Sequence, residues 1–380
     1  MAFEHYIRSG QKLLRCGYTT GTCAALAAAG AAQLLLTGRA PDHLTLRTPK
    51  GLRVTVEPEF CRLCGEHAAV CGVAKDAGDD IDVTDGLVIV ATVTPSPTPG
   101  VSIDGGAGVG RVTKPGLDQP VGAAAINHVP RQMIQQQVLA VCEGTGYDAG
   151  LTVTISVPGG EEAAKRTFNP QLGVQGGISI LGTSGIVEPM SEQALVDTIA
   201  VELRQAAATG SSRLILTPGN YGADFLHAQG LDALGIPVVK CSNFIGDALE
   251  IGAGLPFAHV LLVGHIGKLV KLAGGIMNTH SRYADCRTEL FCAHAALCGA
   301  DAATCHALMD AAATDACLDI LDAAQLREPV MASLLTAIQT HLDRRAAGAF
   351  KVGAVLFSNR NGPLGQTKTA DTLLKLWKGA

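Results

Sequence analysis

Glu188 is the only charged residue between Gly176 and Ser191, and it follows Gly182, Thr183, Ser184 and Gly185, a loop able to wrap amides and hydroxyls around a small molecule. Ile178–Leu181, just before that loop, is short and rich in β-branched residues, and Ser191 opens a helical period through Ala194, Leu195, Thr198 and Ile199. The segment therefore reads as the first strand–loop–helix corner of an open parallel sheet, where ligands bind beyond the carboxyl ends of the strands. A strained connection with no ligand to hold is the plainer reading of the same glycines. Pro218-Gly219-Asn220-Tyr221-Gly222, Ser242–Asp247 and Gly264-His265-Ile266-Gly267-Lys268 have the same small, polar character and are expected on the same sheet edge. The last is no phosphate-binding loop, because Leu262 stands where its leading glycine belongs and Leu269 replaces Ser or Thr.

The first half of the chain offers different chemistry. Thr19, Thr20 and Thr22 precede an alanine-rich helix that Gly38 should close in a left-handed cap. Their hydroxyls, beside free amides at the positive end of the helix, would cradle a carboxylate or phosphate; plain capping by Thr20 or Thr22 explains them equally. Cys23 in that first turn is either an activated thiol or, more simply, a small buried one. Asp76, Asp79, Asp80 and Asp82 crowd beside Lys75 and repel unless Lys75, a cation, a ligand hydroxyl or solvent relieves them. A calcium loop is excluded, since its Gly and terminal Glu are missing. Gly106, Gly108 and Gly110 have dinucleotide-fingerprint spacing, but Arg111–Gly116 follows where a helix should begin. What is left is a glycine loop flanked by Arg111 and Lys114, suited to carboxylates. Cys61-x-x-Cys64, with Cys71 and His67 nearby, is half of a zinc spacing without a second pair.

These groups need two kinds of scaffold. Leu44–Val93 alternates as a partly exposed antiparallel sheet would, and Leu151–Val157 continues that pattern. Beyond it, Ile178–Leu181, Arg213–Thr217, Val238–Lys240 and Val260–Val263 alternate with helical periods, helices fill 275–345 from Asn278-Thr279-His280-Ser281 onward, and Val352–Phe357 returns as a last strand. The expected architecture is an N-terminal mixed α+β domain, residues 1–165, followed by a Rossmann-like, mostly parallel α/β domain, residues 166–380. At 380 residues, two domains are the default. A net charge of −5 argues against a general nucleic-acid binder. Twelve scattered cysteines without a leading apolar signal fit reduced thiols in a cytoplasmic protein, and the longest apolar helix, read as Cys23–Leu36, falls short of a bilayer.

Six stretches carry a resemblance to a known family. They are Leu14-Arg-Cys-Gly-Tyr-Thr-Thr-Gly-Thr-Cys-Ala-Ala, Lys75-Asp-Ala-Gly-Asp-Asp, Gly108-Val-Gly-Arg-Val-Thr-Lys-Pro-Gly-Leu, the Ile178–Ser191 segment, Pro218-Gly-Asn-Tyr-Gly and Gly264–Ser281. In this order, across nearly the whole chain, they resemble the CbiD family. The resemblance implies methyl transfer from S-adenosylmethionine to ring carbon C1 of cobalt-precorrin-5B, giving cobalt-precorrin-6A in the anaerobic cobalamin pathway, with the cobalt carried by the substrate. The cysteine-rich Glu59–Cys71 segment departs from the family pattern and leaves a structural metal open.

Displacement at a sulfonium methyl needs alignment more than a nucleophilic side chain, which suits loops of Gly, Thr, Ser and Asn. On this reading Gly182, Thr183, Ser184, Gly185 and Glu188, with Gly219, Asn220 and Tyr221, are expected at the cofactor. Thr19, Thr20, Thr22, Lys75, Arg111, Lys114 and Lys268 are expected at the substrate's carboxylates, and His265, Asp79 or Asp80 as a base. The expected partners are the tetrapyrrole and, transiently, neighbouring pathway enzymes, with no nucleic acid and no membrane. A corrinoid carrier without chemistry and a nicotinamide-dependent reductase are the alternatives. Against the reductase stand the failed glycine fingerprint and the missing acid after Arg213–Thr217.

Overall fold

The computed structural model describes residues 3–9, 12–65 and 67–379, and the chain folds as two compact units, Met1–Glu192 and Gln193–Ala380. It is mixed α/β, as expected. The expected division at residue 166 falls inside the first unit, because the backbone of 174–187 pairs with strands far upstream. Gly177–Ile178 lies parallel to Gly108–Val109, Val174–Gln175 antiparallel to Arg111–Val112, and Ile186–Val187 antiparallel to Gly17–Tyr18. The Ile178 run is thus not the first strand of the Rossmann-like sheet. A short apolar stretch reports burial but not which sheet buries it.

The first unit is built on the helix Thr20–Thr37, whose cap is Thr19 rather than Thr20 or Thr22 and whose end is the left-handed Gly38 with φ 69°. It packs on the strands Ala69–Ala74 and Val88–Ser96 and on the helix His128–Thr145. Alanine and glycine fill it because neighbours press on nearly every side: a Cβ at Gly30 would stand 2.8 Å from Cys71 Sγ, and one at Gly21 2.7 Å from Pro130. The helix has the length and hydropathy of a membrane span, yet 72% of it is buried inside this unit. Beneath it the sheet runs in the order Phe60–Leu63, Ala69–Ala74, Val88–Ser96, Gly150–Ser156, Val101–Gly105, antiparallel but for the last pair. Leu44–Arg47 and Arg53–Val56 form a separate hairpin with alternating burial.

In the second unit the sheet order is Val238–Lys240, Arg213–Thr217, His259–His265, Lys351–Ser358, Gly362–Gln366, the first four parallel and the last antiparallel. The four parallel strands stand where the sequence placed them, and the antiparallel Gly362–Gln366 is an addition to the expected last strand. Consecutive apolar residues such as Leu214, Ile215 and Leu216 are fully buried because helices cover both faces. Asn278–Ser281 is a loop, and helices follow at Arg287–Leu297, Ala302–Met309, Thr314–Ala323 and Arg327–Ala346.

Candidate functional site

Val238–Lys240 and His259–His265 lie on opposite sides of Arg213–Thr217, so the chain reverses direction across the sheet between Thr217 and His265. At such a reversal the two following loops part and leave a crevice at the carboxyl ends of the strands. Gly219, Asn220 and Tyr221 leave one strand there, and His265 and Lys268 leave the other. Lys268 Nζ donates to the Pro218 carbonyl, tying the two loops, and a Cβ at Gly264 would meet the Pro218 ring at 2.8 Å. Lys240 Nζ donates to Asn220 Oδ1 at 3.1 Å. Burial holds the Lys268 ammonium below its ordinary pKa and pushes the neighbouring Cys241 thiol up to about 12.

His265 caps the turn Ile266–Leu269: its Nδ1 accepts the Gly267 amide at 3.0 Å, and its ring meets Phe357 edge-on at 5.8 Å. Burial lowers its pKa, against the pull of Asp315. The neutral ring therefore carries its proton on Nε2, and its free lone pair is already spent on the helix start. That arrangement leaves Nε2–H as a donor, with the acceptor nitrogen engaged by the Gly267 amide. Nitrogen-15 spectra at pH 7 should show His265 protonated at Nε2 and bare at Nδ1; the opposite tautomer would free Nε2 to act as the base. His265→Asn should keep the cap, whereas His265→Ala should lose about 1 kcal/mol of stability.

A strip from the far side of the sequence completes this edge. Gly246 N donates to Met277 O, Thr279 N to Asn243 O at 2.9 Å, and Thr279 Oγ1 to Asn243 Oδ1 at 3.2 Å. Lys271, only 2% exposed, donates from Nζ to Thr279 O at 3.1 Å and Ala284 O at 2.8 Å, with Asp285 Oδ1 3.8 Å away. Ser242, at φ 52°, and Cys286, at φ 51°, hold left-handed backbone at the two loops so joined. Sequence reading placed the Ser242–Asp247 loop on this edge but missed Lys271, whose one signal was a lone lysine in the apolar run Leu269–Ala273, and the tie between Asn243 and Thr279.

The residues expected with this set in the first half lie in the other unit, and the structure uses them internally. Thr19 Oγ1 accepts the Thr22 amide, Thr20 Oγ1 accepts the Leu181 amide at 3.0 Å, and Thr22 Oγ1 donates to Gly185 O at 2.6 Å. All three are buried, so the expected cradle is filled by the chain's own Leu181–Gly185 loop. A Cβ at Gly182 would strike Thr19 at 2.4 Å, and one at Gly185 would strike Thr48 at 2.9 Å, so these glycines are there for close packing. Thr183 is exposed, Ser184 closes a turn onto Ile186, and Glu188 pairs with Lys50. Asp79 accepts the Arg15 amide and Asp80 the Met190 amide, which places the acidic turn in the same unit as Glu188 and not on a separate half.

Asp76 forks onto Arg15 at 2.6 and 2.8 Å; burial raises its carboxyl pKa, but Arg15 and the Gly78 amide outweigh that and leave it low. Lys75 is buried against Asp82 at 2.6 Å. Arg111 makes its two-point contact with Asp104, at 2.7 and 3.1 Å, and also donates to Gly105 O, while Lys114 donates to Gln171 O. The planar fork expected for a ligand carboxylate is therefore engaged by the protein's own. Burial lifts Cys23 to about 12, so it is a core thiol and no nucleophile. No cluster of metal-ligating side chains is found among the described residues.

Residues 7–189 match the CbiD family model, and residues 278–368 match the model of the CbiD C-terminal domain. The first match stops close to the end of the first compact unit, at Glu192. A relative from Ruminiclostridium cellulolyticum, named cobalt-precorrin-5B C(1)-methyltransferase, is 48% identical over 95% of this chain and 93% of its own. One of the same name from Alkaliphilus metalliredigens is 40% identical over 99% of this chain and 98% of its own. The crystal structure of a cobalamin biosynthesis protein (cbiD) from Archaeoglobus fulgidus is 29% identical, covering 71% of this chain and 83% of its own, with a TM-score of 0.39. With two family models matched in order and near full-length identity to these relatives, the chain belongs to the CbiD family.

Proposed function

We propose that this protein transfers a methyl group from S-adenosylmethionine to C1 of cobalt-precorrin-5B. The observation that carries the reading is the 48% identity to a relative of that name over 95% of the chain. When bound, S-adenosylmethionine supplies an electrophilic methyl whose bonding pair stays on the departing sulfur. The ring carbon provides the new bond's electrons, and the ring gives up a proton. The crevice at Thr217 and His265 suits the cofactor's carboxylate end: His265 Nε2–H, Lys240 and Lys268 are donors around Gly219–Tyr221. No acid follows Arg213–Thr217 to take a ribose hydroxyl, so Asn220 and the loop carbonyls are the acceptors in reach. His265 holds its proton there, and the Lys268 tie keeps both loop backbones in register for alignment of the methyl.

The test incubates the protein with methyl-labelled S-adenosylmethionine and cobalt-precorrin-5B. A product one methyl heavier, labelled at C1, is the expected result. Tight binding of the tetrapyrrole with no cofactor binding would instead identify a carrier, and label at another ring carbon would overturn the regiochemistry.

A further inference from the structure

Cys61 and Cys71 are cross-strand neighbours on the antiparallel strands Phe60–Leu63 and Ala69–Ala74. Cys64 N donates to Ala68 O, which fixes the alternation of the ladder: pairs two residues along are hydrogen-bonded, and Cys61 with Cys71 falls on a non-hydrogen-bonded position. There the Cα atoms approach to about 4.5 Å, inside the range a disulfide spans. The side chains point to the same face, under Gly30: Cys61 Sγ donates to Gly30 O at 3.5 Å, and Cys71 Sγ is the atom a Cβ on Gly30 would strike. Cys61 is partly exposed and Cys71 fully buried. Cys64, exposed and an odd number of residues from Cys61 along the strand, belongs to the opposite face. The Cys-x-x-Cys spacing in the sequence is therefore not the pair that meets.

We propose that Cys61 and Cys71 form a two-electron oxidation site that closes to a cross-strand disulfide with a low-molecular-weight disulfide of the glutathione class as oxidant. Cys61 is the attacking thiol: it is the one solvent reaches, and the neighbouring Cys71 thiol favours its thiolate, while Cys61 and burial keep Cys71 protonated. The Cys61 thiolate attacks one sulfur of the oxidant, forming a mixed disulfide and expelling one small thiolate. Cys71 then attacks the Cys61 sulfur, expelling the second, and the two protein protons end on the two released thiols. The product pins the edge strand to its neighbour beneath the central helix.

The experiment treats folded protein with oxidised glutathione, blocks remaining thiols and digests with trypsin. Cleavage at Arg53, Arg62 and Lys75 places Cys61 in the peptide 54–62 and Cys64 with Cys71 in the peptide 63–75. The expected result is these two peptides joined, at 2 Da below their summed mass, in wild type and equally in Cys64→Ser. Cys61→Ser, at a partly exposed position, should abolish the link without unfolding the chain. A link that vanishes in Cys64→Ser would assign it to the wrong face and overturn the proposal. So would oxidation confined to other thiols while 54–62 and 63–75 stay separate.

Discussion

Lys271→Met is expected to lower the stability of the second unit by about 3 kcal/mol, the upper end for stranding buried partners of a charged donor. The ammonium is buried and holds two carbonyls of one loop, Thr279 O and Ala284 O, near Asp285. Methionine fills the volume but donates nothing. The loop should then open at its exposed tip, and trypsin should cut after Arg282 many times faster than in wild type. Burial lowers the Lys271 pKa, so between that lowered value and the unfolded value near 10.4 the unfolded chain binds more protons. Wild-type stability should accordingly gain from rising pH in that window, and the methionine variant should lack this gain. Denaturant midpoints within 0.5 M of each other and equal cleavage at Arg282 would show that the lysine anchors nothing, taking a urea slope of about 2 kcal/mol per M.

Gly17→Ala should cost at least about 3 kcal/mol, beyond ordinary overpacking, because what it strikes is backbone. A Cβ there would stand 2.2 Å from Asp76 O and 2.4 Å from the Ala77 carbonyl carbon. Two chain segments cross at that point. Tyr18 N donates to Asp76 O at 2.8 Å and Asp79 N to Arg15 O at 2.9 Å, so neither can retreat without breaking the other's bonds. Gly38→Ala is the reference: unlike Gly17 it needs left-handed backbone, at φ 69°, but it has nothing within 4 Å. It should lose only about 1–2 kcal/mol. Thermal unfolding that leaves the two alanine variants equally stable would refute the crossing as the cause.

The parallel strands of the second unit were legible because Arg213–Thr217 and Val238–Lys240 are short β-rich runs bounded by turn residues, the first of them buried on both faces, a pattern that local sequence states. From those strands the loops carrying Asn220, His265 and Lys268 could be placed on one edge. Ile178 was misplaced for the converse reason: its partners, Val109 by strand pairing and Gly110, whose amide donates to the Ile178 carbonyl, are distant in sequence. The same blindness affected Arg111, whose free fork disappeared once Asp104 proved to be its partner, and the threonines, whose hydroxyls are answered from residues 181–185. A side chain's type shows what it can bind. Only the fold shows whether something already has it.

The pairing of Ile186–Val187 with Gly17–Tyr18 also sets a schedule for synthesis. On the ribosome a domain can close only when its last partner strand has left the exit tunnel, and N-terminal domains generally fold first. Here the helix Thr20–Thr37 and its sheet emerge early, yet the strand Gly17–Tyr18 waits for a partner translated some 170 residues later, about ten to thirty seconds at ordinary rates of synthesis. Throughout that interval the nascent chain carries a nearly finished apolar core with one open seam. That seam is where a chaperone, or another nascent copy, would find the chain most receptive.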